Sequence, residues 1–213
     1  MERIRNSWAA RLLLSLALLG VAYLLLFFIC RYRTLQPFPA GLDLAVRELP
    51  RLDWTWVLSQ GFVIFLTGFF AYWLRRDRRR LAYLVTATAL LMLVRDAFVL
   101  LTPVGPLTGL IPLYKGTVVT GIRNRLEFDG ELFFSGHAGV PFLYFLLCRR
   151  DRAISSVCLG VSLMNGLGVL LTRNHYTIDV LGAYVIVPTI VQLHRRLFGW
   201  LDPDALEAAQ TLE

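Results

Sequence analysis

The stretch Thr172-Arg173-Asn174-His175-Tyr176-Thr177-Ile178-Asp179-Val180-Leu181-Gly182-Ala183-Tyr184 sets a histidine and an aspartate four residues apart, at the mouth of a long apolar segment. On a helix, residues i and i+4 share a face, so the two side chains can touch. A carboxylate at that spacing can accept the N–H of one imidazole nitrogen. It thereby fixes the tautomer and makes the other nitrogen a better nucleophile or base. Asn174 is placed to cap such a helix, which predicts His175 in its first turn, where the dipole favours an anion. A second group of polar residues, Ser135-Gly136-His137, opens another apolar segment, with a hydroxyl and a glycine that let backbone N–H groups approach an anion at a helix start. Arg95 and Asp96 lie within a third segment. A buried arginine there needs a partner, either Asp96 or a bound phosphate. Arg173, Lys115, Arg123 and Arg125 are further cations that could clamp a phosphate. Two histidines, one oriented by an aspartate, with arginines and helix N-termini nearby, suit phosphoryl transfer: one histidine attacks phosphorus and the other protonates the leaving alkoxide.

These groups must be carried by membrane helices. The chain has 213 residues, 56% of them hydrophobic, with mean hydropathy +0.58, which is far outside the range of soluble domains. The runs 12–30, 54–74 and 153–172 carry no charge and are long enough to cross a hydrocarbon core of about 30 Å. The runs 81–102, 132–148 and 176–193 carry only the polar interruptions Arg95–Asp96, His137 and Asp179. The expected fold is therefore all-α and polytopic: one domain over 1–213 with six transmembrane helices, at about 8–30, 54–74, 81–102, 132–148, 153–172 and 176–194. A solvated acidic tail would occupy 201–213. The first run has the basic start of a signal peptide, but it is too long and lacks a cleavage pattern, so we read it as a retained helix.

The net charge of +7 sits in short clusters between the runs, as orientation requires, and not in a nucleic-acid-binding patch. The cluster Arg75, Arg76, Arg78, Arg79 and Arg80 places both termini in the cytoplasm. His137, His175 and Asp179 then lie at one depth on the outer side, within reach of the long connections 31–53 and 103–131. His194 falls at the opposite, cytoplasmic end as an interfacial residue. The three cysteines, Cys30, Cys148 and Cys158, have no metal-ligand spacing and read as buried small hydrophobes.

The motifs resemble the type 2 phosphatidic acid phosphatase superfamily, in particular its sphingomyelin synthase-related branch. HYTIDVLGAY (175–184) is similar to that branch's final motif and FDGELFFSGHA (128–138) to the one before it. LMLVRDAFVLLTPVGP (91–106) and ELPRLDWTW (48–56) are weaker likenesses. The resemblance runs over about 48–196 and implies roles: His175 the nucleophile, Asp179 its orienting partner, His137 acid and then base. It further implies metal-free transfer, without a cofactor, of a phospho-headgroup from a glycerophospholipid donor to ceramide or another lipid alcohol.

The chain departs from the broader phosphatases in lacking a Lys-x6-Arg-Pro motif and in having Val169 where they keep an arginine six residues before the last histidine. The departure favours the synthase-like branch and leaves Ser135, Gly136, Arg95 and Arg173 as the phosphate-binding candidates. Two other chemistries use the same residues: a phosphatase or phospholipase C-like hydrolase with water as acceptor, and a zinc hydrolase with His137, His175 and Asp179 as ligands. A serine protease built on Ser135 lacks the GxSG context, and a non-enzymatic membrane protein is the remaining class. A single lysine against 21 arginines suggests a GC-rich genome, hence a bacterial inner membrane with the site facing the periplasm. Headgroup, acceptor and oligomeric state are not legible.

Overall fold

A computed structural model describes residues 7–35, 38–102, 104–113 and 133–205. Lys115, Arg123 and Arg125, the segment 128–132 and the tail beyond 205 lie outside the described residues. The chain is all-α: α1 (Trp8–Thr34), α2 (Leu44–Glu48), a π-helical turn (Val57–Gly61) running into α3 (Phe62–Arg76), α4 (Arg80–Leu101), α5 (Gly136–Leu147), α6 (Arg152–Leu171) and α7 (Thr177–Phe198), followed by a 3-10 turn at Gly199–Leu201. The β-pairing among the described residues is a single bridge, Ala40 to Gly105.

Among the described residues, five helical segments are long and apolar enough to cross a bilayer: Trp8–Arg33, Val57–Arg76, Arg80–Leu101, Arg152–Leu171 and Thr177–Leu201. The chain is thus a polytopic membrane protein. The expected fourth span is the exception. Among the described residues its helix is Gly136–Leu147, whose 12 residues rise about 18 Å at ~1.5 Å each. The physical reason lies at its start, where Ser135 is extended and its side chain accepts from Ala138 N–H, an N-cap that fixes where the helix begins.

Lipid supplies no hydrophobic force between helices, so small residues and interhelical hydrogen bonds hold the bundle. Ser15 Oγ on α1 donates to Ala82 O at 3.0 Å and meets Thr86 Oγ1 of α4 at 2.6 Å. Thr88 of α4 meets Tyr144 OH of α5 at 2.8 Å. Ser162 of α6 donates to Ala138 O of α5 at 2.8 Å, beside Gly166, where an added Cβ would stand 3.0 Å from Tyr184 OH of α7. Leu13, Ile64, Leu163, Leu181 and Val185 remain exposed, as expected of surfaces that face hydrocarbon.

Two expectations at the opposite end are corrected. His194 is fully buried, with its ring 4.5 Å from that of Tyr83 and 5.5 Å from Phe198, because α7 continues past it to Phe198. The start of the supposed solvated tail is docked: Leu201 is buried with Ala82 and Tyr83, and Asp204 pairs with Arg80 and, at 3.0 Å, with Arg150.

Candidate active site

The pair that opened the sequence reading is formed. His175 Nδ1 lies 3.2 Å from Asp179 Oδ2, and both side chains are buried. The same oxygen accepts the N–H of Tyr176 at 2.8 Å. The helix is capped by Tyr176 in extended conformation, not by Asn174, and Asp179 closes a capping box from its first turn. His175 therefore stands immediately before the helix. The i,i+4 contact survives because Asp179 reaches back to the cap, as the acid of a capping box does. The Asn174 side chain goes elsewhere, donating to Ile111 O at 2.8 Å.

Ser135 joins this dyad through the backbone: its N–H donates to Asp179 O at 3.1 Å. The N-termini of α5 and α7 thus meet, and both bring positive dipole ends to one spot. Arg95, 3% exposed on α4, donates from Nε to Phe134 O at 2.8 Å, and the same Nε is 3.7 Å from where a Cβ on Gly136 would sit. Arg95, Ser135, Gly136 and the His175–Asp179 pair are accordingly contiguous. His137 follows in the first turn of α5, partly exposed. Its ring packs 4.9 Å from that of Phe62, and its carbonyl accepts from Asn165 Nδ2 at 3.3 Å. Arg173 has a different partner. It adopts a positive φ of 57°, and its Nη1 donates to Thr108 O at 3.1 Å.

Four further residues support the site. Arg33, just past the expected first span at 8–30, is buried at the end of α1 and donates to Val99 O at 2.6 Å and Val104 O at 2.7 Å. It lies within electrostatic reach of Asp179. Asn165 is fully buried on α6 against His137. Tyr176 OH donates to Gly105 O at 2.8 Å and accepts from Gly41 N–H at 2.7 Å. Asp43 accepts from Ala45 and Val46 N–H at 3.0 Å, capping α2, and from Thr177 N–H at 2.5 Å and Thr177 Oγ1 at 3.0 Å. Only Asp43 carried a sequence signal, as an N-cap type before an apolar run. Its partner in α7 is 134 residues away and has no local signature.

Burial pushes the Asp43 carboxyl up, but the N–H groups of Thr177, Val46 and Ala45 and the Thr177 hydroxyl outweigh it and hold the group below its ordinary value. A depressed folded-state value means stability that is present above the unfolded carboxylate range, about 3.9, and lost as pH falls through the folded value. Asp43→Asn should therefore unfold at lower temperature than wild type at pH 7, by about 1 kcal/mol, the scale of the one lost hydrogen bond from Thr177 N–H. The gap should close as the pH falls below about 4. Thermal unfolding in detergent across pH measures this, and a gap unchanged at low pH would contradict the account.

Among the described residues, no group of three or more His, Cys, Asp or Glu side chains is placed to hold a metal ion. This counts against the zinc reading, which needs His137, His175 and Asp179 together.

Residues 130–196 match the family model described as PAP2 superfamily C-terminal. The matched stretch holds Ser135, Gly136, His137, Arg173, His175 and Asp179, and covers less than half of the chain. It supports the type 2 phosphatidic acid phosphatase superfamily, whose members are phosphoric-ester hydrolases or phosphotransferases, without reaching any one branch. No curated protein and no solved structure matches the chain.

Proposed function

We propose that the chain is a membrane lipid phosphotransferase that moves a phospho-headgroup from a glycerophospholipid to ceramide or another lipid alcohol through a phosphohistidine at His175. The observation that carries the proposal is the buried His175 Nδ1 to Asp179 Oδ2 contact, with that oxygen itself fixed by the Tyr176 N–H. A proton held on Nδ1 leaves the Nε2 lone pair as the nucleophile. Nε2 attacks the donor phosphorus, the P–O bond to diacylglycerol breaks, and protonated His137 gives its proton to the departing alkoxide. Neutral His137 then takes the proton of the acceptor hydroxyl. The resulting oxygen attacks phosphorus, the P–N bond breaks, and both histidines return to their starting states.

Backbone N–H groups at the start of α5, around Ser135 and Gly136, and the Arg95 guanidinium would stabilise the charge that builds on the phosphoryl oxygens. Arg173, engaged with Thr108 O, takes the smaller share. Arg95→Lys keeps the charge but loses the fork and the Nε bond to Phe134 O. It should reduce transfer by about a hundredfold, whereas Arg173→Gly, which tolerates the positive φ, should cost less than about tenfold. Initial rates of labelled transfer measure both, and the reverse ranking would reassign the clamp.

The second reading, a hydrolase using water as acceptor, is favoured by the phosphatase superfamily match. Purified protein given headgroup-labelled phospholipid, with and without ceramide, separates the two. Label appearing in a new lipid only when ceramide is present supports transfer. Label released to water in both reactions supports hydrolysis. The basic cluster at 75–80 supports a site on the outer face, which in a bacterium is the periplasmic side of the inner membrane.

A further inference from the structure

We infer that two loops form a clasp that sets the position of His175, with Asp43 and Asn174 as its positioning residues, one on each side. The inference rests on the proposed role of His175 as nucleophile.

His175 sits in a short turn between Leu171, the last residue of α6, and Thr177, the first of α7. Within the turn, Asn174 N–H and His175 N–H donate to Val169 O at 2.9 and 3.3 Å, Asn174 Nδ2 also donates to Thr172 O at 3.3 Å, and Asp179 holds the His175 ring. Residues on both sides of His175 are gripped from outside. On the upstream side Ile111 N–H donates to Thr172 O at 2.9 Å, Arg173 Nη1 donates to Thr108 O at 3.1 Å, and Asn174 Nδ2 donates to Ile111 O at 2.8 Å. On the downstream side Tyr176 OH bridges Gly105 O and Gly41 N–H, and Asp43 takes both the N–H and the hydroxyl of Thr177. The two gripping segments are tied to each other, since Gly105 N–H donates to Pro39 O at 2.9 Å. Arg33 fastens Val104, the neighbour of Gly105, to the end of α4.

Every one of these gripping groups comes from residues 33–46 or 99–111, outside the stretch 130–196 that matches the family model. Covalent catalysis depends steeply on the placement of the attacking atom, and a displacement of about 1 Å can cost about a hundredfold in rate. A loop that moves Thr177 or Asn174 moves the imidazole between them, while leaving lipid binding to other surfaces.

Asp43→Asn isolates the downstream hold. With its amide oxygen in the Oδ1 position it still caps α2, but its NH2 then faces the Thr177 N–H, donor against donor. Asn174→Ala deletes the upstream side-chain bond to Ile111 O. Measured per folded molecule with labelled phospholipid, each should lower kcat about ten- to a hundredfold, with KM for the donor changed less than about threefold. Thr177→Val should fall in the same direction as Asp43→Asn, and Thr177→Ser, which restores the hydroxyl, should recover most of that loss.

His175→Gln in the same preparation separates the two layers of the argument. Turnover by His175→Gln would remove the nucleophile itself. An inactive His175→Gln beside wild-type kcat in Asp43→Asn and Asn174→Ala would overturn the clasp alone. So would a rise in KM at unchanged kcat, or activity lost only in proportion to folded protein.

Discussion

His175→Gln is expected to lower phosphoryl transfer by at least about four orders of magnitude, the scale on which removal of a covalent nucleophile acts. Glutamine matches much of the imidazole's volume and can still hydrogen-bond, so the turn between α6 and α7 should survive. The variant should insert and unfold like wild type. What it lacks is a nitrogen lone pair able to form and release a P–N bond, and the contiguous groups offer no substitute. Arg95 is a cation bonded to Phe134 O, and Ser135 Oγ is occupied as the cap of α5. Transfer by His175→Gln within tenfold of wild type would mean that His175 does not attack phosphorus.

The second large effect concerns Asp179, where the geometry makes a graded prediction. One oxygen, Oδ2, serves both His175 Nδ1 and Tyr176 N–H. Asparagine can place its single carbonyl oxygen there and keep both contacts, losing only the charge. Asp179→Asn should therefore lose roughly a hundredfold, by weakening the electrostatic support of the imidazolium-like transition state. Asp179→Ala removes the acceptor altogether. It frees the His175 tautomer and deletes half of the capping box, so activity should fall by about a thousandfold or more and the helix start should lose ~1 kcal/mol. Initial rates and thermal unfolding of both variants, side by side, check the ranking. Equal losses in the two would show that the charge carries the effect, not the tautomer.

The contact between His175 and Asp179 was legible in the sequence, because it is written in a local spacing. The i,i+4 relation of His175 and Asp179 needs only a helix start, and a polar group at the mouth of an apolar run is conspicuous. Five long helices were read from charge-free or nearly charge-free runs, since an unpaired charge in hydrocarbon is costly. The fourth run also forms an apolar helix, Gly136–Leu147, shorter than the run that signals it. Hydropathy registers apolar residues but not the conformation of Ser135, which starts α5 late.

Other misses share one cause. The roles of Asp43, Arg33 and Tyr176 come from partners 66 to 135 residues distant, and nothing in a single sequence pairs them. Asn174 was read as a cap on local grounds, while tertiary contact with Ile111 sends its side chain elsewhere. His194 looked interfacial beside Arg195 and Arg196, yet helix periodicity turns it inward against Tyr83.

The central claim is that His175 carries the phospho-headgroup covalently. The direct measurement is to quench the purified protein during turnover of phosphorus-labelled donor lipid and to map protein-bound label. The account predicts an acid-labile, alkali-stable phosphoramidate on the peptide containing His175, present in wild type and absent in His175→Gln. His137→Ala should slow its formation and its release alike. Turnover with no label on the protein at any quench time, or label that persists in His175→Gln, would contradict it.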